Sequence, residues 1–126
     1  MYTPYADREI YEALGGSSIP EEDLERCLRQ ASRHIDTLSF NRIVRQGFDR
    51  LTDFQQEIVR EVACRQADFE YENQDELDNI LSAYSINGVS ASFGDSWNVK
   101  IENGIAMKRD IYALLAQTGL TCRLLR

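Results

Sequence analysis

Five apolar residues, Leu24, Leu28, Ala31, Ile35 and Leu38, recur at steps of four, three, four and three. Strand residues alternate between two faces, so no strand gathers this set on one side, whereas an α-helix lines it into one stripe. The spacing predicts a helix from near Pro20 to Leu38. Ser18 and Glu21 have the spacing of a capping box, and Glu21, Glu22 and Asp23 put negative charge at the positive end of its dipole. Leu38-Ser39-Phe40-Asn41 closes it. A stripe on one face needs cover, so other elements must bring apolar faces of their own.

The rest of the chain supplies them mostly as helices. Pro4 to Leu14 reads as a short helix capped by Thr3, with Ala6, Ile10 and Leu14 at helical spacing and Gly15-Gly16 as its stop. From Thr52 to about Tyr71 the helical period returns, with Phe54, Ile58, Val62 and Phe69 on one face beside Val59 and Ala63. Gln55, Glu57, Arg60, Glu61 and Gln66 are expected outside. Between these helices, Arg42 to Arg50 reads as a short helix or turn. Glu72 to Glu76 reads as a solvated loop or fraying end, followed by one or two helical turns at Leu77, Ile80 and Leu81.

Between Tyr84 and Ile101 the pattern alternates, and Val89, Ala91, Phe93 and Trp97, Val99, Ile101 predict a hairpin about Gly94-Asp95-Ser96. A last helix is expected over Gly104 to Thr118, with Met107, Ile111, Leu114 and Leu115 inward and Lys108, Arg109 and Asp110 outward. Gly119 then has the place of a left-handed stop, with Leu120 folding back. The predicted fold is mainly α: a small bundle of four to five helices with a short β-hairpin or irregular excursion before the last helix. Its 126 residues suit one domain, 1–126, ending in a tail over 119–126.

Composition narrows the function. Hydrophobic residues at 43% and charged residues at 28% are those of a packed protein rather than a disordered one. The net charge of −7 disfavours general binding to a phosphate backbone. No apolar run reaches the roughly 20 residues of a membrane span, and Met1-Tyr2-Thr3-Pro4-Tyr5 is unlike a secretion leader, which gives a cytosolic reading. Cys27, Cys64 and Cys122 are odd in number and widely spaced, as reduced thiols are.

No catalytic, cofactor-binding or metal-binding constellation emerges. A metal site needs more ligands than the single histidine, His34, makes available, and Gly15-Gly16 lacks the Lys-Ser/Thr ending of a phosphate loop. The carboxylate pairs Glu21 with Glu25, Glu57 with Glu61 and Asp75 with Asp78 have helical spacing but read as solvated faces in a chain with 21 acidic residues. The expectation is a protein that is not an enzyme. The basic stripe Arg26, Arg29 and Arg33, interleaved with Glu22 and Glu25, reads either as a charged outer face or as a docking ridge for an acidic partner or DNA phosphate. The aromatics Phe93 and Trp97 read as core or interface anchors, and with the tail residues Leu120, Leu124 and Leu125 these are the candidate assembly surfaces.

Several segments, taken in order, resemble one family. Tyr11-Glu12-Ala13-Leu14-Gly15-Gly16, then Ile19-Pro20-Glu21-Glu22, then Arg29-Gln30-Ala31-Ser32-Arg33-His34-Ile35-Asp36-Thr37-Leu38 resemble the N-terminal half of head–tail connector proteins of long-tailed bacteriophages and prophages. Val62-Ala63-Cys64-Arg65-Gln66-Ala67-Asp68 is similar to that family's central helix. Ser85 to Phe93 resembles a later segment, and Leu114-Leu115-Ala116-Gln117-Thr118-Gly119-Leu120 its closing one. Leu38-Ser39 departs from the Thr that the pattern carries there. The colinear order of these short motifs carries the resemblance.

The resemblance implies a helical bundle that joins copies of itself in a ring below the portal protein and presents a surface to the next connector or tail-completion protein. It implies a virion protein at the head–tail junction, assembled in the bacterial cytoplasm, with no cofactor and no membrane contact, past which DNA only slides. The tail would reach the portal, and the excursion would touch adjacent subunits or the next connector. The alternative from the residues alone is a small acidic intracellular regulatory or adaptor protein that binds one protein partner.

Overall fold

In the computed structural model, residues 3–75, 77, 99–102 and 104–122 are described. The apolar stripe forms α2, Glu21–Leu38, and all five of its residues are buried, Ala31 and Ile35 completely. It packs along α4, Asp53–Glu72, the longest described helix and the centre of the molecule. Around this pair lie α1 (Arg8–Ala13), α3 (Arg42–Gln46), a 3-10 turn (Phe48–Arg50), strands β1 (Val99–Glu102) and β2 (Ile105–Lys108), and α5 (Arg109–Ala116). The protein is thus mainly helical, with a small antiparallel sheet before the last helix. Every described element sends apolar side chains into or against one core. Burial of each large aliphatic side chain there contributes about 1.5–3 kcal/mol.

The ends of the helices correct several expectations. The first helix starts at Arg8 and not at Pro4, because Asp7 rather than Thr3 is its cap, accepting from the Ile10 N–H at 3.0 Å. The preceding residues are tied to α2 instead: the Tyr5 N–H donates to Ser32 Oγ at 3.1 Å and the Tyr5 hydroxyl to Asp36. Ser18 does not cap α2 either. Its hydroxyl donates to Glu72 at 2.7 Å, and Pro20 takes the cap position without a side-chain bond. Among the described residues the capping box is at α4, where Thr52 and Gln55 satisfy each other's backbone N–H groups.

Two residues of α4 are on the opposite side of the surface from that expected. Phe54 is 54% exposed, whereas Gln66 is fully buried. Phe54 stands in the first turn, ahead of the stretch packed between neighbours, and Gln66 faces β2, a neighbour that the helical period could not announce.

The described sheet begins within the second expected strand, at Val99, and continues beyond Ile101. β1 pairs antiparallel with β2, from Val99 opposite Lys108 to Glu102 opposite Ile105. Only Asn103 and Gly104 lie between the two strands, and Asn-Gly is the strongest two-residue hairpin signal. Gly104 has φ +77°, which accounts for the glycine. The helix expected from Gly104 therefore begins only at Arg109, and Met107, expected inward on a helix, is inward on a strand at 1% exposure. The strands and turn expected over Val89 to Ser96 lie outside the described residues, as does the helical turn at Ile80 and Leu81. At the far end Gly119 adopts φ +76° and Leu120 folds back into the core at 6% exposure.

The C-terminal end of α2 carries strain. The Asn41 N–H reaches Asp36 O at 2.8 Å and the Phe40 N–H reaches Thr37 O at 3.2 Å, the two bonds of a Schellman motif. That motif needs a left-handed residue after the cap, ordinarily glycine, yet here it is Phe40 at φ +57°, followed by Asn41 at φ +57°. A side chain in this conformation costs about 1–2 kcal/mol.

Candidate functional site

Two polar braces cross the interior. The Tyr11 hydroxyl donates to Asp68 at 2.5 Å and accepts from the Ile19 N–H at 3.1 Å, tying α1 and the turn after it to α4. A Cβ at Gly16 would lie 2.4 Å from the Tyr11 ring, so only glycine fits beside it. Burial, then the bond to Asp68, pushes the Tyr11 phenol up to about 12. Burial also raises the Asp68 carboxyl, against the lowering effect of the Tyr11 bond. In the second brace Gln66 Nε2 donates to Glu70 at 2.8 Å and to the Ala106 carbonyl at 2.8 Å, while His34 Nδ1 meets the same Glu70 oxygen. This cluster joins α2, α4 and β2, so His34 stands in a structural brace between helices, partly buried.

The other residues singled out from sequence fall on different surfaces. Arg26 pairs with Asp23 at 3.5 Å and Arg29 with Glu25 at 3.0 Å along the outer face of α2, with Arg33 exposed beside them. Exposed pairs of this kind contribute little to stability. Of the carboxylate pairs, Glu21 binds Arg8, Glu25 binds Arg29, and Glu61 binds Arg65 at 2.9 Å, so they serve as partners of arginines. Leu120 is buried and offers no free surface, and Arg42 caps its carbonyl at 3.0 Å. Phe93, Trp97, Leu124, Leu125 and Asp78 lie outside the described residues. Cys27 and Cys64 are buried, with burial pushing the Cys64 thiol up to about 12, and Cys122 is exposed.

Two surface features at opposite ends of α2 were not singled out by the sequence. The first, a knuckle just past the end of α2, carries the strained Phe40, 39% exposed, and Val44 of α3, 57% exposed. Arginines brace it from both sides: the Arg42 guanidinium lies 5.1 Å from the Phe40 ring centroid, and Arg45 donates to the Phe40 carbonyl at 3.0 Å. The signal available beforehand was slight, namely Val44 four residues after Phe40 and apart from the core stripe.

The second feature is a pocket of about 440 Å³ between the chain entering α1 and the first half of α2. Buried Ala6, Leu24 and Leu28 line it together with exposed Asp7, Arg8, Glu21 and Glu25. Its apolar residues belong to the stripe and to the segment before α1, while its charged ones come from the start of α1 and the acidic start of α2. Comparison with family models, with curated proteins and with solved structures returns no match to this chain.

Proposed function

We propose that the chain is a bacteriophage head–tail connector adaptor, which joins a ring beneath the portal and links the DNA-filled head to the next connector or tail-completion protein. The reading is supported by where the family-like segments sit in the fold. Tyr11 and Gly16 come from the first such segment and Asp68 from the central one, and they meet in a single joint. Gln66, from the same central segment, holds the sheet. Residues that resemble the family are thus among those that fasten its elements together. The net charge of −7 suits a wall past which DNA slides without being held. Among the described residues no helix is long and apolar enough to cross a membrane.

The test uses the portal protein encoded in the same gene cluster. Purified chain is mixed with isolated portal rings and with DNA-filled heads, and binding is followed by cosedimentation and by electron microscopy of the vertex. The expected result is a ring of additional density below the portal. A chain that stays in the supernatant at saturating concentration would overturn the reading.

A further inference from the structure

We infer that the Phe40–Val44 knuckle of one copy seats in the pocket between the α1 approach and α2 of a second copy. The inference takes over the ring-forming part of the reading above and names the surfaces. Four observations carry it. Phe40 is a bulky apolar residue held, at an energetic cost, where glycine would relax the backbone, and it leaves 39% of its surface exposed.

The two surfaces also match in chemistry. Residues 40–50 hold Arg42, Arg45 and Arg50 against the single acid Asp49, in a chain whose net charge is −7. The pocket leans the other way, with apolar Leu24 and Leu28 inside and three acids at its rim, Asp7, Glu21 and Glu25, against the two arginines that Glu21 and Glu25 bind, Arg8 and Arg29. An aromatic anchor in an apolar pocket, ringed by opposite charge, is the usual plan of a contact hot spot.

Position supplies the last observation. Leu24 in the pocket and Leu38 beside the knuckle are separated by about 21 Å of α2 at 1.5 Å per residue. The chain cannot fill its own pocket with its own knuckle. The contact is therefore head to tail, each copy offering a knuckle at one end and a pocket at the other, an arrangement that gives a ring where the rotation between copies closes and a filament where it does not.

The decisive variant is Phe40→Gly combined with Val44→Ser, because glycine relieves the left-handed strain and the fold should melt no earlier than wild type. Self-association of the full chain, followed by sedimentation up to millimolar concentration, should weaken about tenfold or more. Glu21→Lys with Glu25→Lys should weaken it similarly from the pocket side. A mixture of the two double variants should form dimers and nothing larger, since only one productive contact remains.

Association unchanged in the knuckle variant would overturn this contact while leaving ring formation standing. Wild-type chain that remains monomeric at millimolar concentration would overturn it too. A failure to bind portals, with self-association intact and sensitive to Phe40, would count against the connector reading alone.

Discussion

Helices α2 and α4 each bury eight residues, yet they do so in different ways. In α2 the buried set runs from Leu24 through Cys27, Leu28, Ala31, Ser32 and Ile35 to Leu38, a single stripe facing mainly α4. In α4 it includes Val62, Ala63 and Cys64 in succession and then Gln66 and Ala67, which face different sides of the helix. A helix at the edge of a bundle has one long neighbour and shows it as a clean period. A helix at the centre has several, here α2, α5 and β2, and the superposed stripes blur the period.

The largest effect expected from this difference lies on the stripe of α2. Ile35→Ala and Leu28→Ala should each cost about 2–5 kcal/mol, as large-to-small changes in a packed core do. Chemical denaturation of both variants checks this. Midpoints equal to that of the wild type would show that the stripe is not the seam of the bundle.

Gln66 tests the central helix. Replacing it by Leu removes the donor to both Glu70 and the Ala106 carbonyl, and unsatisfied buried acceptors cost about 1–3 kcal/mol. The sheet should loosen first, so hydrogen exchange at Ile105–Lys108 is expected to quicken more than exchange at the middle of α2. Uniform acceleration across both would mean that Gln66 merely fills space.

A smaller effect, confined to alkaline pH, tests the Tyr11–Asp68 brace, which leaves the same stretch of α4. Folding raises the Tyr11 phenol from 10.0 to about 12, so the fold favours its protonated form. That contribution is fully present below pH 10 and is lost as pH rises towards 12. The stability gap between wild type and Tyr11→Phe should therefore hold steady from neutral pH to about 10 and then narrow. Melts in matched buffers measure it, and a gap unchanged to pH 12 would disprove the burial of this hydroxyl.

These contrasts explain what was legible in the sequence. The stripe of α2, the burial of Ile58, Val59, Val62 and Phe69, and the fold-back of Leu120 after Gly119 follow from local periodicity and turn chemistry. Three features do not. Gln66 is polar by type and inside only because a strand carbonyl awaits it; Tyr5 leaves the first helix because Ser32 and Asp36 lie across from it; and the β1–β2 pairing was masked by Met107, Ile111 and Leu115, which fit a helical period across a strand–helix boundary. The Asn103-Gly104 pair was the one local cue against that helix. For the candidate contact surface, the knuckle was hidden because neither exposure nor backbone strain at Phe40 is written in residue type.

The smallest expected effect concerns the outer face of α2, where the sequence allowed two readings of Arg26, Arg29 and Arg33. As a solvated face the stripe should tolerate change, because the pairs of Arg29 with Glu25 and Arg26 with Asp23 are exposed and shielded by water and salt. Such pairs are worth between nothing and about 1 kcal/mol, and surface substitutions ordinarily stay within about 0.5 kcal/mol. Arg26→Ala and Arg29→Ala should accordingly leave thermal melts nearly unmoved. As a docking ridge for an acidic partner, the same stripe would show itself in assembly and not in stability. Measuring both variants in the portal-binding and sedimentation experiments separates the readings. Intact assembly assigns the face to solvent and leaves the ends of the helix as the contacts, whereas lost portal binding with an unmoved melt would transfer the docking role to these arginines.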